Sequence, residues 1–298
     1  MADAIVIGRR QASTRLRGRF ARALRHTGLV IGTVILLAIV VGAIFAPFFS
    51  PYDPYEQDLL KRMEPPVFLE AGSWEHPLGT DKFGRDYLSR LLYGARISLF
   101  VGIAAALISG IIGTTLGVAA GYFGGWVDRV ITFFVTGRLA LPVILVTLAV
   151  VALFGASLMV VVTVLGLVLW DRYALVMRAT TQQIRNADFV TAAKLQGCTP
   201  LQVILLEIMP NAASNLIVVA TLEIAHAISL EAALSFLGLG VPPPAPSWGL
   251  MVAEGKEVML FEPWLITLPG ILLFLLVLSF NLVGDGLRDT TATEARNQ

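Results

Sequence analysis

Long apolar runs alternate along this chain with shorter stretches that hold nearly all of its charge. A helix needs about 20 mostly apolar residues to cross a hydrocarbon core of roughly 30 Å. Gly28–Phe48 meets that requirement without a single charge. Ser98–Ala120 is a second such run, in which Gly102, Gly110, Gly113 and Gly117 are small enough to let helices approach closely. Val130–Ala152 and Leu158–Met177 follow, separated by Phe154-Gly155-Ala156-Ser157. Leu216–Leu237 carries Glu223, His226 and Glu231, and Leu265–Val283 is the sixth run. The pattern predicts an all-α polytopic membrane protein with six transmembrane helices. The first run is too long for a signal peptide and lacks a small-residue cleavage site after it.

Composition agrees with that pattern. Of 298 residues, 56% are hydrophobic and 14% charged, and the mean hydropathy is +0.76. Soluble domains run at about 45–50% apolar and about 25% charged. A soluble globular domain is therefore excluded, and so is a disordered chain. The net charge of +1 gives no drive toward nucleic acid. The single Cys198 removes disulfide frameworks and cysteine metal sites. Neither a Gly-x4-Gly-Lys-Ser/Thr phosphate loop nor a Gly-x-Ser-x-Gly nucleophile element occurs in the sequence. A secondary transporter would need an internal repeat around a midplane site, and none is evident.

The surviving charges are sorted by side. Arg9, Arg10, Arg15, Arg17, Arg19, Arg22 and Arg25 precede the first run, with only Asp3 opposing them. Pro51–Arg90 is acidic instead, with Asp53, Glu56, Asp58, Glu64, Glu70, Glu75, Asp81 and Asp86. Positive charge marks the cytoplasmic side, so both termini are expected inside. Arg172–Pro210 then lies inside as well, and Pro51–Arg90 and Gly238–Pro263 outside. The expected organisation is a basic arm at 1–27, a first helix at 28–48 and an extracytoplasmic segment at 49–97. A membrane core at 98–287 with an inner loop at 178–211 follows, then a tail at 288–298. Trp74, Trp126, Trp248 and Trp264 fall near the expected membrane boundaries, where aromatic anchors belong.

Two connecting segments are too long to be plain turns. The outer one holds His76-Pro-Leu-Gly79-Thr80-Asp81-Lys-Phe-Gly84-Arg85-Asp86, whose charges can pair internally or meet another chain. The inner one has apolar residues near helical spacing over Ala187–Met209, broken by Gly197 and Thr199-Pro200. Two short helices about a glycine hinge are expected, with Pro210 marking entry to the fifth span. Such a pair can dock in a groove of a soluble partner or rest on lipid head groups.

The inner segment resembles the coupling loop of ATP-binding-cassette importer permeases. That pattern is Glu-Ala-Ala, three residues, Gly, nine residues, then Ile-x-Leu-Pro. Thr191-Ala192-Ala193, Gly197 and Glu207-Ile208-Met209-Pro210 stand in the same register, with Thr191, Glu207 and Met209 as departures. His76 to Asp86 and Leu88 to Arg96 resemble the stretch before the second span in C-type permeases of dipeptide, oligopeptide and nickel importers. Gly121-Tyr-Phe-Gly-Gly125 with Asp128, Glu231 to Gly240, Pro246-Ser-Trp-Gly249 and Asn281 to Asp289 are similar to later segments of the same branch. Phe133 and Thr136 stand roughly where relatives carry an Arg and an Asp, with Arg138 nearby. The usual Asp-Pro after the last motif is replaced by Thr290–Gln298.

The resemblance implies a type I importer permease fold with cytoplasmic coupling helices, in a bacterial or archaeal cytoplasmic membrane. It implies a homologous B-type permease as heterodimer partner, two cytosolic ATPase subunits and an extracytoplasmic solute-binding protein. ATP and Mg would be bound by those partners, and the chain itself would hold no cofactor or metal and catalyse nothing. Phe189, Val190, Ala192, Ala193, Lys194, Gly197, Cys198, Thr199 and Pro210 would form the ATPase-coupling loop. Gly79, Thr80, Asp81, Gly84, Arg85 and Asp86 would meet the binding protein or partner permease. The implied substrate is a di- or oligopeptide, with nickel chelates, glutathione or another small solute as alternatives.

Glu223, His226 and Glu231 lie inside a span, where ionisable groups are costly and face a cavity, a partner helix or one another. Residues 223 and 226 share a helix face, with 231 near it. As lining of the translocation path, the carboxylates would favour a peptide amino terminus. As packing groups, the three would form a helix–helix hydrogen-bond cluster.

Overall fold

The computed structural model describes residues 26–295, with side chains through Thr290. The arginine arm from Arg9 to Arg25 lies outside the described residues, as does the end of the polar tail. Among the described residues every regular element is helical, and the one β feature is an isolated bridge between Thr80 and Asp86. Five helices are long and apolar enough to cross a membrane, or six if one bent pair counts as a span.

Helix α1 (Thr27–Ile44) is followed by a single turn, α2 (Ala46–Phe49), set off by Pro47. The outer segment then carries only a short 3-10 turn at Leu59–Lys61. The next helix, α3, runs over Tyr87–Phe123 and is 37 residues long. It starts 11 residues before the expected Ser98, because the Asp86 side chain caps it by accepting from the Ser89 N–H. Gly124, at φ 66°, ends it.

The expected third span, Val130–Ala152, is not one helix. It is divided into α4 (Gly125–Leu139) and α5 (Val143–Phe154), bent by 84° at Ala140-Leu141-Pro142. Pro142 has no N–H to offer, and it disfavours helical backbone in the residue before it. Gly155, at φ 84°, then turns the chain into α6 (Leu158–Val168), capped by Ser157. After an irregularity at Leu169 the same span continues as α7 (Trp170–Ile184). Asp171 and Arg172 lie within this helical run, as they do within the expected span Leu158–Met177.

The inner segment supplies one short helix, α8 (Asp188–Leu195). The second is not short: Pro200–Phe236 is a single 37-residue element, α9, continuous with the fifth span. Pro210 lies inside it and does not open it. The helix widens to a π-helix over Val203–Ile208 just before that proline, which relieves the clash of its ring with the preceding turn. The second outer segment contains α10 (Trp248–Lys256), and α11 (Trp264–Ala295) closes the chain.

Glycines set the packing. Cβ atoms placed on Gly113, Gly117 and Gly121 of α3 would sit 2.2, 2.5 and 2.7 Å from carbonyl oxygens of Trp170, Ala174 and Arg178 on α7. Only residues without side chains let the two backbones lie that close, as in small-residue seams between membrane helices. Gly32 does the same for α1 against the Ser279 carbonyl of α11, at 2.9 Å. His26 Nε2 lies 3.0 Å from Asp289, so the start of α1 and the end of α11 share one end of the bundle. Tyr87 and Trp264, stacked edge-on at 5.3 Å, mark the other.

Candidate functional site

Three places concentrate polar or docking chemistry, one at each end of the bundle and one between. At the outer end, Gly79 (φ 75°) and Gly84 (φ 73°) fold the acidic segment back on itself. A Cβ on Gly84 would lie 1.8 Å from the Asp58 carbonyl oxygen, so the turn has room for nothing larger. Within it, Asp81 accepts from Arg85 Nε at 2.6 Å and from Arg90. Glu254 of α10 accepts from Arg90 at 2.8 Å and from Arg85 at 3.4 Å. Asp86 accepts from the Ser89 hydroxyl at 2.6 Å and lies 2.9 Å from His76 Nδ1.

Thr80, Asp81, Arg85, Asp86 and Arg90 are all buried. Asp81, Arg85 and Asp86 of the outer motif thus pair within the chain. Buried charges persist only when paired and hydrogen-bonded, and here two guanidinia meet two carboxylates across α3 and α10. Glu254 was not visible as a partner in the sequence, because it lies 164 residues from Arg90. Trp248 joins the same core: its indole N–H donates to the Leu91 carbonyl at 2.8 Å. Trp264 is buried too, whereas Trp74 and Trp126 are exposed as membrane anchors would be.

In mid-span the three predicted residues do not form one group. Glu223 is 1% exposed, 3.3 Å from Arg172 Nη1 and 3.4 Å from His226 Nδ1. Glu231 is buried elsewhere, accepting from Ser235 at 2.8 Å and Ser247 at 2.9 Å. Ser247 also caps α10, so Glu231 pins that helix to α9. These bonds make Glu231 a packing group between the two helices. Arg172 and its neighbour Asp171 are site residues that the sequence did not single out. Asp171 is buried and lies 3.9 Å from Arg138, whose Nε donates to the Val168 carbonyl at 2.8 Å. A pair of adjacent charges within an otherwise apolar run was the available signal.

At the inner end, α8 is closed by a Schellman turn. Cys198 N donates to the Ala193 carbonyl at 3.2 Å and Gly197 N to the Lys194 carbonyl at 3.1 Å, with Gly197 at φ 85°. Thr199 and Gln202 then form a reciprocal capping box with Pro200 at the first helical position. Val190, Ala193, Val203 and Ile208 make a small apolar cluster against Tyr122 and a half-buried Cys198. Lys194 lies 5.3 Å over the Tyr122 ring. Arg185 donates to the carbonyls of Gly121 and Tyr122 at 3.2 and 3.0 Å, satisfying the last turn of α3. The inner helix pair is therefore fixed to the end of α3. Its other face leaves Phe189, Ala192, Leu195, Leu201, Leu205 and Leu206 exposed.

The sequence pattern of binding-protein-dependent transport system inner membrane components matches residues 113–292. That of the N-terminal transmembrane domain of oligopeptide transport permease C matches residues 14–66. The chain is 40% identical over 265 residues to a dipeptide transport system permease protein of Haemophilus influenzae, covering 89% of this chain and 90% of that one. It is 41% identical over 272 residues to a di/tripeptide transport system permease protein of Pseudomonas aeruginosa, covering 91% and 90%. Its fold is similar to that of a chain from the MetNI methionine ABC transporter in an inward-facing conformation, with a TM-score of 0.56 at 18% identity, covering 68% of this chain and 95% of that one.

Proposed function

The chain belongs to the family of binding-protein-dependent transport system inner membrane components, and on that premise we propose that it forms half of the pathway through which an ATP-driven importer moves di- or oligopeptides. It is a permease subunit of the bacterial inner membrane with the type I importer fold. In the proposed assembly it pairs with a homologous second permease. Two ATPase subunits beneath the membrane bind ATP and Mg, and a solute-binding protein delivers the peptide from outside. No catalysis is assigned to this chain. Both termini face the cytoplasm in this reading, on the same side as α8.

The observation that carries the proposal is the inner helix pair. Among the described residues its exposed apolar face has no partner, while Val190 and Ala193 on its opposite face pack toward Tyr122 at the end of α3, where Arg185 just before the pair also bonds. A helical, apolar surface of this kind suits a groove on a soluble protein, and its attachment to a 37-residue membrane helix gives a lever on the spans. Peptide as substrate follows from the names of the relatives.

Two measurements test the reading. A tagged chain purified gently from its native membrane is expected to bring down ATPase subunits and a second permease. Gly197→Asp meets no atom within 4 Å of the new Cβ, so it is expected to keep the fold at a cost of about 1 kcal/mol for the left-handed backbone, and to abolish binding-protein-stimulated ATPase activity. A preparation without any ATPase, or a variant that imports normally, overturns the coupling assignment. A binding protein whose natural ligand is not a peptide overturns the substrate.

A further inference from the structure

We propose that Arg172 offers a binding station for a substrate carboxylate at the middle of the translocation path, an inference that rests on the importer reading above. Arg172 is the fifteenth of 27 residues in the candidate span Leu158–Ile184, within a turn of its midpoint. Its side chain is 57% exposed, and among the described residues its one polar partner is Glu223, through a single contact of 3.3 Å. A guanidinium at mid-bilayer does not face hydrocarbon; it faces water or protein. It carries five N–H donors in a fixed fork, and a single contact to Glu223 leaves most of the fork free to meet a solute.

The neighbouring charges decide which solute group fits. Asp171 is buried and lies 3.9 Å from Arg138. Glu223 is 1% exposed behind the guanidinium, so a passing solute does not reach it. His226, 29% exposed and 3.4 Å from Glu223, extends the polar strip by one turn of α9. What this strip presents is therefore a cation held from behind by a buried carboxylate. A planar carboxylate is its natural complement, because two parallel N–H···O bonds can form at once. This reverses the expectation that carboxylates in this span receive a peptide amino terminus.

The experiment uses the complete importer reconstituted in vesicles with its binding protein, and alanyl-alanine as the probe. The quantity read is peptide imported per ATP hydrolysed. Arg172→Gln is expected to lower that ratio about tenfold, with binding-protein-stimulated ATPase activity within about twofold of wild type, and Arg172→Lys to restore part of it. If import and ATPase activity fall together, Arg172 holds the assembly, pairing with the second permease, and the inference is wrong. It is equally wrong if the ratio does not change. Wild-type complex that imports no dipeptide overturns the peptide reading instead, and Arg172 is then judged by the same ratio with the solute its binding protein carries.

Discussion

The outer and inner ends of this molecule invert the usual association of charge with contact. The outer end is rich in charged residues, and the tightest of them, buried Asp81, Arg85 and Arg90 with half-buried Glu254, pair with one another. The inner end is less densely charged, and apolar side chains lie open there on a helix pair fixed by backbone caps and a cluster of four buried residues. Charge at the outer end builds structure, while exposed apolar area at the inner end is what a partner can use. The difference arises from desolvation. A buried ion pair must satisfy itself inside the chain, whereas Leu195 or Leu201 gains only when another surface covers it.

The sharpest way to break this contrast is Arg90→Ala. Asp81 and the half-buried Glu254 would lose one of the two cations they share, leaving Arg85 alone against both, at a cost of about 3 kcal/mol. The expected result is a purified protein with a strongly lowered Tm, or none recovered; an unchanged Tm would mean that the outer network contributes nothing. A smaller effect comes from comparing the same substitution at both ends. Gly84→Ala places a methyl group into the Asp58 carbonyl, and Gly197→Ala meets no atom within 4 Å. Both suffer the left-handed backbone, about 1 kcal/mol, so thermal unfolding should show Gly84→Ala clearly the worse of the two. Equal losses would remove the claim that the outer turn is the tightly built one.

The smallest effect is expected at the exposed outer pair of Lys61 and Glu75. The Lys61 ammonium beside Glu75 holds its carboxyl below the usual carboxylate range. A lowered carboxyl value contributes stability above its unfolded value and loses it as pH falls through the folded one. Since both groups are solvent-exposed and screened, Glu75→Gln should leave the thermal midpoint at neutral pH, and the acid midpoint, indistinguishable from wild type. A measurable shift in either would show that this pair belongs with the buried network.

Particular residues show how far the sequence could be read. Gly28–Phe48 and Leu265–Val283 are uniform apolar runs, and both became spans. Gly113 and Gly117 marked a close helix contact, which they make with α7. Gly197 and Thr199-Pro200 marked the inner break. Pro142 was passed over inside an apolar run, where it bends the chain by 84°, and Pro210 was taken for a boundary although a π-turn carries the helix through it. Among the charges, Asp81, Arg85 and Asp86 were found but their burial was not. Arg172 was counted among the inner-face charges and not singled out as a partner of Glu223.

Apolar runs, glycine spacing and arginine bias are local properties of the chain, so membrane residence, the spans and the inner helix break were determined by the sequence alone. Which charge meets which was decided only by the tertiary structure. Arg90 reaches Glu254 across 164 residues, and Arg172 reaches Glu223 across 51. Only when helices are brought together does the low dielectric between them require each buried charge to find its counterpart. Where no counterion is in reach, as at Glu231, the hydroxyls of Ser235 and Ser247 take its place and tie α10 to α9.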